Sequence, residues 1–155
     1  MQTLDELIAA APLFEGLDDR YLRLIAGCGA NEHFAAGEML FREGEAAERF
    51  YLLRAGVVAI ELDAPAGGPL LIETLHAGDV VGWSWLFAPY RWSFDARARE
   101  TTRAVGFDGA CLRGKCEADH ELGFELMRRF AASLTEDLQA TRLQLLDVYG
   151  HARLD

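Results

Sequence analysis

The spacing of apolar residues changes twice along the chain. Behind Thr3, Leu4, Leu7 and Ile8 recur at helical intervals, and Glu6 completes a capping-box pattern with Thr3, which predicts a first helix that stops near Pro12. Tyr21, Leu22, Leu24 and Ile25 follow Asp18 and Asp19 with the same period and run into the glycines at 27 and 29, where a left-handed cap suits the residue type. The bend between these helices leaves Leu13, Phe14 and Leu17 to dock on the body of the domain. Residues 3–29 are therefore read as helical, and residues 31–108 shift to short runs punctuated by glycine: EMLFREGE, RFYLLRAG, VVAIELD, PLLIETLHAGD, FDARARE and TRAVGFDG. Short strands at this spacing predict an antiparallel β jelly roll. Helical spacing returns over 109–149, where Leu122, Leu126, Phe130, Leu134 and Leu138 lie four apart, with a break expected near Gly123.

A chain of 155 residues fits a single domain, 1–155, mainly β with flanking helices. Its formal net charge of −10 argues against sequence-independent nucleic-acid binding, which needs a basic face. Fourteen of the fifteen cations are arginine, and Lys115 is the exception, a set suited to fixed contacts. The opening MQTLDELIAAAPLF has neither a basic flank nor a stretch long enough to span a bilayer, so a cytoplasmic location without a membrane partner is expected. Cys28, Cys111 and Cys116 are an odd set, read as reduced thiols, with a redox pair of Cys111 and Cys116 as the less favoured option.

The segments PLFEGLDDRYLRLIA, AGEMLFREGEAAERFYLLRAGVVAI and LHAGDVVG resemble the cyclic nucleotide-binding domain of catabolite-activator-type regulators. Gly37, Phe41, Gly44, Glu45, Tyr51, Gly56, Val57, Gly78 and Asp79 stand in that family's order. The resemblance implies the jelly roll, and it implies a phosphate-binding cassette after Gly78-Asp79. There an acidic residue takes the ribose hydroxyl, while an arginine and helix-start amides take the cyclic phosphate.

In this chain the cassette is rewritten. Trp83 stands at the acidic position and Trp92 at the arginine position, followed by Ser93 and by Phe94 in place of alanine. Strand alternation puts Trp92, Phe94, Ala96 and Ala98 on one face and Arg91, Ser93, Asp95, Arg97 and Arg99 on the other, so Arg91 is expected to point away from the roll's interior. Two readings of the segment stay open. The tryptophans close the former nucleotide cavity as packing, or Gly82, Trp83, Ser84, Trp85, Leu86, Arg91, Trp92 and Ser93 line a site for another small molecule.

No cofactor is assigned; a cyclic nucleotide or other small molecule is the candidate ligand, and cyclic AMP or GMP binding is expected to be impaired. His33, His76, His120 and His151 stand singly without metal-ligand spacing, and Ser84 lies in a broken GxSxG pattern, so a cupin-like enzyme is only a remote option and no catalysis is expected. The sequence reaches Asp155 without a helix-turn-helix, so no DNA-reading module is expected either. The leading expectation is a stand-alone sensor or regulatory domain forming a homodimer through its terminal helix, and the rival is a ligand-free structural or dimerisation module.

Overall fold

The structure, a computed structural model, describes residues 2–150. Helix α1 spans Leu4–Ala10 and is capped as its sequence predicts: the Glu6 amide donates to the Thr3 hydroxyl, and the Thr3 amide donates to the Glu6 carboxylate. A single 3₁₀ turn, Pro12–Phe14, leads to α2, Asp19–Ala26, whose first turn is capped by the Asp18 side chain. Eight strands follow: β1 Gly29–Phe34, β2 Met39–Phe41, β3 Arg49–Ala55, β4 Val58–Ala64, β5 Gly68–Leu75, β6 Val80–Val81, β7 Asp95–Ala98 and β8 Thr102–Asp108. They form two four-stranded antiparallel sheets, ordered β1-β8-β3-β6 and β2-β7-β4-β5, the jelly-roll arrangement expected.

Two strands go beyond the sequence reading. Strand β1 starts at Gly29, where the helical segment was expected to end, and β6 is a two-residue pairing with β3. Tight chain reversal explains the glycine at 56: its φ is +100°, and a Cβ there would lie 2.6 Å from the Thr102 Cα.

After β8 the chain forms α3, Gly109–Ala118, and α4, His120–Tyr149. The break falls at Asp119, not at Gly123 as expected. Asp119 adopts an extended conformation and caps α4 by accepting from the Leu122 amide at 3.2 Å. Gly123 serves the crossing of the two helices instead, since a Cβ on it would sit 3.2 Å from the Cys116 carbonyl oxygen. The core joins both halves of the molecule: Ile8, Phe14 and Ile25 from the N-terminal helices meet Phe50, Phe107, Leu112, Leu122 and Leu126.

The expectation of reduced thiols is corrected. Cys28 and Cys111 form a disulfide with a Cα–Cα separation of 5.9 Å, because the fold brings the end of α2 beside the first turn of α3; Cys116 alone is free. The alternative pairing of Cys111 with Cys116 is thereby overturned as well. Burial and the neighbouring Asp119 and Glu117 carboxylates push the Cys116 thiol upward, which disfavours the thiolate.

Candidate functional site

The rewritten segment begins at Gly82, whose φ of +96° turns the chain beneath the Trp92 ring. A Cβ at that position would lie 2.6 Å from the indole, so glycine and tryptophan fit as a pair. Trp92 is 6% exposed and stacks on Phe41 with 3.7 Å between ring centroids and 12° between planes. Trp85 is fully buried; it stacks on Phe50 at 4.6 Å and meets Phe130 of α4 edge-on at 5.4 Å. Its carbonyl accepts from Arg113 Nη1, and the Arg113 guanidinium lies 4.5 Å over the Tyr90 ring, so α3 braces both ends of the segment. Trp83 differs from the other two. It is only partly buried and meets Phe94 edge-on at 6.3 Å.

These rings do not fill the interior. A cavity of about 550 Å³, within the usual range for small-molecule sites, opens between β5, the cassette and α4. Among the residues expected at a site, Gly82, Trp83, Ser84, Trp92 and Ser93 line it, whereas Trp85 and Leu86 belong to the packing around it. Trp85 belongs to the core alone, Trp92 is both buried in the core and on the cavity wall, and the partly buried Trp83 and Phe94 line the cavity.

Alternation in the return strand holds. Trp92, Ala96 and Ala98 are buried and Phe94 is half-buried, while Arg91, Ser93 and Arg99 are exposed. Arg91 Nη1 donates to the Gly44 carbonyl at 2.9 Å, and the side chain borders an adjoining recess of about 270 Å³ that shares Trp83, Ser84, Ser93 and Leu134 with the cavity. It does not reach the main cavity. In place of the short helix that the resemblance implies after Gly82 stand two turns, closed by the Leu86 amide donating to the Trp83 carbonyl at 3.0 Å and the Tyr90 amide donating to the Phe87 carbonyl at 2.9 Å.

Other charges on the cavity wall come from places the sequence reading did not single out. Glu73 of β5, Asp79 of the turn before β6, and Glu136 and Asp137 of α4 present carboxylates, and Arg129 of α4 is the one cation among the lining residues. One nitrogen of the Arg129 guanidinium is already committed, and its buried Nε has no hydrogen-bond partner among the described residues. Its Nη1 donates to the Leu13 carbonyl at 3.1 Å and the Glu15 carbonyl at 2.7 Å, and its Nε lies 3.6 Å from Glu125. Burial, with Asp137 and Asp79 nearby, raises the Glu73 carboxyl above the ordinary range; burial, with Glu136 and Asp79, does the same to Asp137. Only Asp79 had a local signal, its place in the Gly78-Asp79 turn. The rest meet because β5 and α4 approach in space.

His33, His76 and His120 join no cluster of three or more metal-ligating side chains among the described residues, and His151 lies outside them. No helix among those residues is long and apolar enough to cross a membrane.

Comparison with known proteins agrees with this architecture. The sequence profile of the cyclic nucleotide-binding domain matches residues 31–119. A CRP-like cAMP-activated global transcriptional regulator from Mycobacterium tuberculosis is 28% identical over 131 residues, which cover 84% of this chain and 58% of the regulator. This chain thus spans little more than half the length of that relative. A candidate cyclic nucleotide-binding protein from Geobacter metallireducens superposes with a TM-score of 0.78 at 29% identity, over 89% of this chain and 99% of the other. The catabolite activator protein of Thermus thermophilus shares the fold with a TM-score of 0.73 at 21% identity, over 90% of this chain and 63% of that one.

Proposed function

Since the chain belongs to the cyclic nucleotide-binding domain family, and so to a class of regulatory and sensor domains, we propose that it senses a small molecule other than cyclic AMP or cyclic GMP and reports its presence through α4. The observation that carries this reading is an open cavity of about 550 Å³ lined by Trp83 and Trp92, which stand where the family resemblance implies the nucleotide-holding residues. A buried phosphate needs its charge matched. Trp92 offers a ring where the arginine would stand, Arg91 points to the Gly44 carbonyl, and Arg129 is held by Leu13 and Glu15. The cavity also has α4 as one wall, so an occupant that prefers one placement of the helix shifts its population. This is a binding module with no catalytic role.

The Mycobacterium tuberculosis relative is named as cAMP-activated, and that ligand is the first to test. Thermal unfolding at millimolar cyclic AMP and cyclic GMP is expected to match that of the unliganded protein, whereas a ligand at 100 times its Kd would add about 2.7 kcal/mol. Clear stabilisation by either nucleotide would overturn the proposal. Native mass spectrometry of the purified protein is expected to find a co-purifying small molecule. An empty cavity there, with no stabilisation by small molecules, would favour the ligand-free module that the packing of Trp85 and Trp92 also accommodates.

A further inference from the structure

Resting on the reading of the cavity as a ligand site, we propose that its ligand is an organic cation: an amine or quaternary ammonium group on an apolar or aromatic body. Two independent features of the wall converge on that chemistry. The first is charge. Glu73 from β5, Asp79 from the turn before β6 and Asp137 from α4 reach one cavity from three separate elements. Burial first, and then the neighbouring carboxylates, disfavour the ionised forms of Glu73 and Asp137. The one arginine among the lining residues lies 3.6 Å from Glu125, whose negative charge opposes its own, and so offsets only part of this field. An entering anion would meet uncompensated carboxylates; an entering cation removes a repulsion already present in the folded protein.

The second feature is the aromatic lining. Trp83 and Phe94 stand edge to face at 6.3 Å, are only partly buried and line the cavity, and the buried, stacked pair of Trp92 and Phe41 lines it too. Ring faces attract cations through their quadrupole and accept an apolar body by area, so one wall suits both ends of such a molecule. The position of the charge also gives the ligand a structural effect. A cation between Glu73 of the roll and Asp137 of α4 is attracted to both and draws the helix toward the sheet.

Benzyltrimethylammonium, benzyl alcohol and benzoate form a test series of similar size and different charge, read by calorimetry and by quenching of tryptophan fluorescence in the full chain. The cation is expected to bind at least about ten-fold more tightly than either analogue. Glu73→Gln with Asp137→Asn is expected to remove that preference while the fold, followed by circular dichroism, is retained; Asp137→Asn alone should remove part of it. Equal or tighter binding of benzoate, or a cation preference untouched by both variants, overturns the proposal. So does calcium chloride reproducing the effect at the same concentration, because the aromatic wall would then be irrelevant. Tight binding of an anion with movement of α4 would sink the cation assignment and leave the sensor reading intact. Binding of the cation without any change at α4, monitored by a fluorophore on the Gln139→Cys variant with Cys116→Ser to leave one reactive thiol, would do the reverse.

Discussion

A single indole decides how much of the cavity stays open. Trp92 covers Gly82 on one side and Phe41 on the other, and its removal leaves a void that the glycine backbone beneath cannot fill. Trp92→Ala is therefore expected to lower the unfolding free energy by about 3–5 kcal/mol in denaturant titration, the range for a buried aromatic. Trp83→Ala should cost clearly less, because Trp83 already faces open space. Equal losses would mean that Trp83 is packing and the cavity has no free aromatic wall. Asp137 makes a prediction of opposite sign. A carboxyl whose folded pKa is raised contributes stability that is present below its unfolded value and is lost as pH rises through the folded one. At pH 7 the ionised Asp137 thus opposes folding, and Asp137→Asn should raise the melting temperature, by a margin that shrinks as pH falls toward about 4, the ordinary carboxylate range. A margin independent of pH would assign the effect to something other than charge.

At the level of elements, local signals survived folding and distant ones were invisible. The Thr3 capping box, the glycine-punctuated hairpins and the alternation from Trp92 to Ala98 are set by neighbours within a few residues, and each appears as the pattern implied. Strand β1, GANEHF, was missed because an edge strand with mixed burial carries no regular alternation. The break before α4 went to Asp119 because an N-cap outweighs a glycine that helix crossing can use. Convergence of Glu73 and Asp137 had no linear trace at all, and neither had the disulfide, whose cysteines are 83 residues apart. That link ties α2 to α3, beside the hydrogen bond from Lys115 Nζ to the Leu24 carbonyl at 2.7 Å. Thiol titration of the denatured, unreduced protein is expected to count one cysteine, Cys116, and three after reduction. Reduction should lower stability by about 2–4 kcal/mol, as loss of a long closed loop does. Three thiols before reduction would rule the disulfide out.

The whole molecule is divided by its last helix. The first turns of α4 bury Leu122, Leu126 and Phe130 in the core, whereas Leu138, Leu143, Leu145, Leu146, Val148 and Tyr149 farther along are exposed. So much apolar surface on one protruding helix fits an association site, and a second copy of the same helix is the occupant we expect. The net charge of −10 on each chain opposes that pairing at long range. Association should therefore tighten as added salt screens the repulsion, while the apolar contact itself is not weakened. Sedimentation equilibrium is expected to show a dimer that strengthens between low and moderate salt, with a melting temperature that rises with protein concentration. Leu143→Glu with Leu146→Glu should yield a folded monomer whose melting temperature no longer depends on concentration, since neither residue contributes to the core. Because Asp137 sits on the same helix just before this surface, a ligand that repositions α4 at the cavity also changes how the two exposed stripes meet. Dimer affinity that differs between ligand-bound and empty protein is the result expected of a sensor; wild-type sedimentation as a monomer at every salt and protein concentration would rule out the second copy as its output.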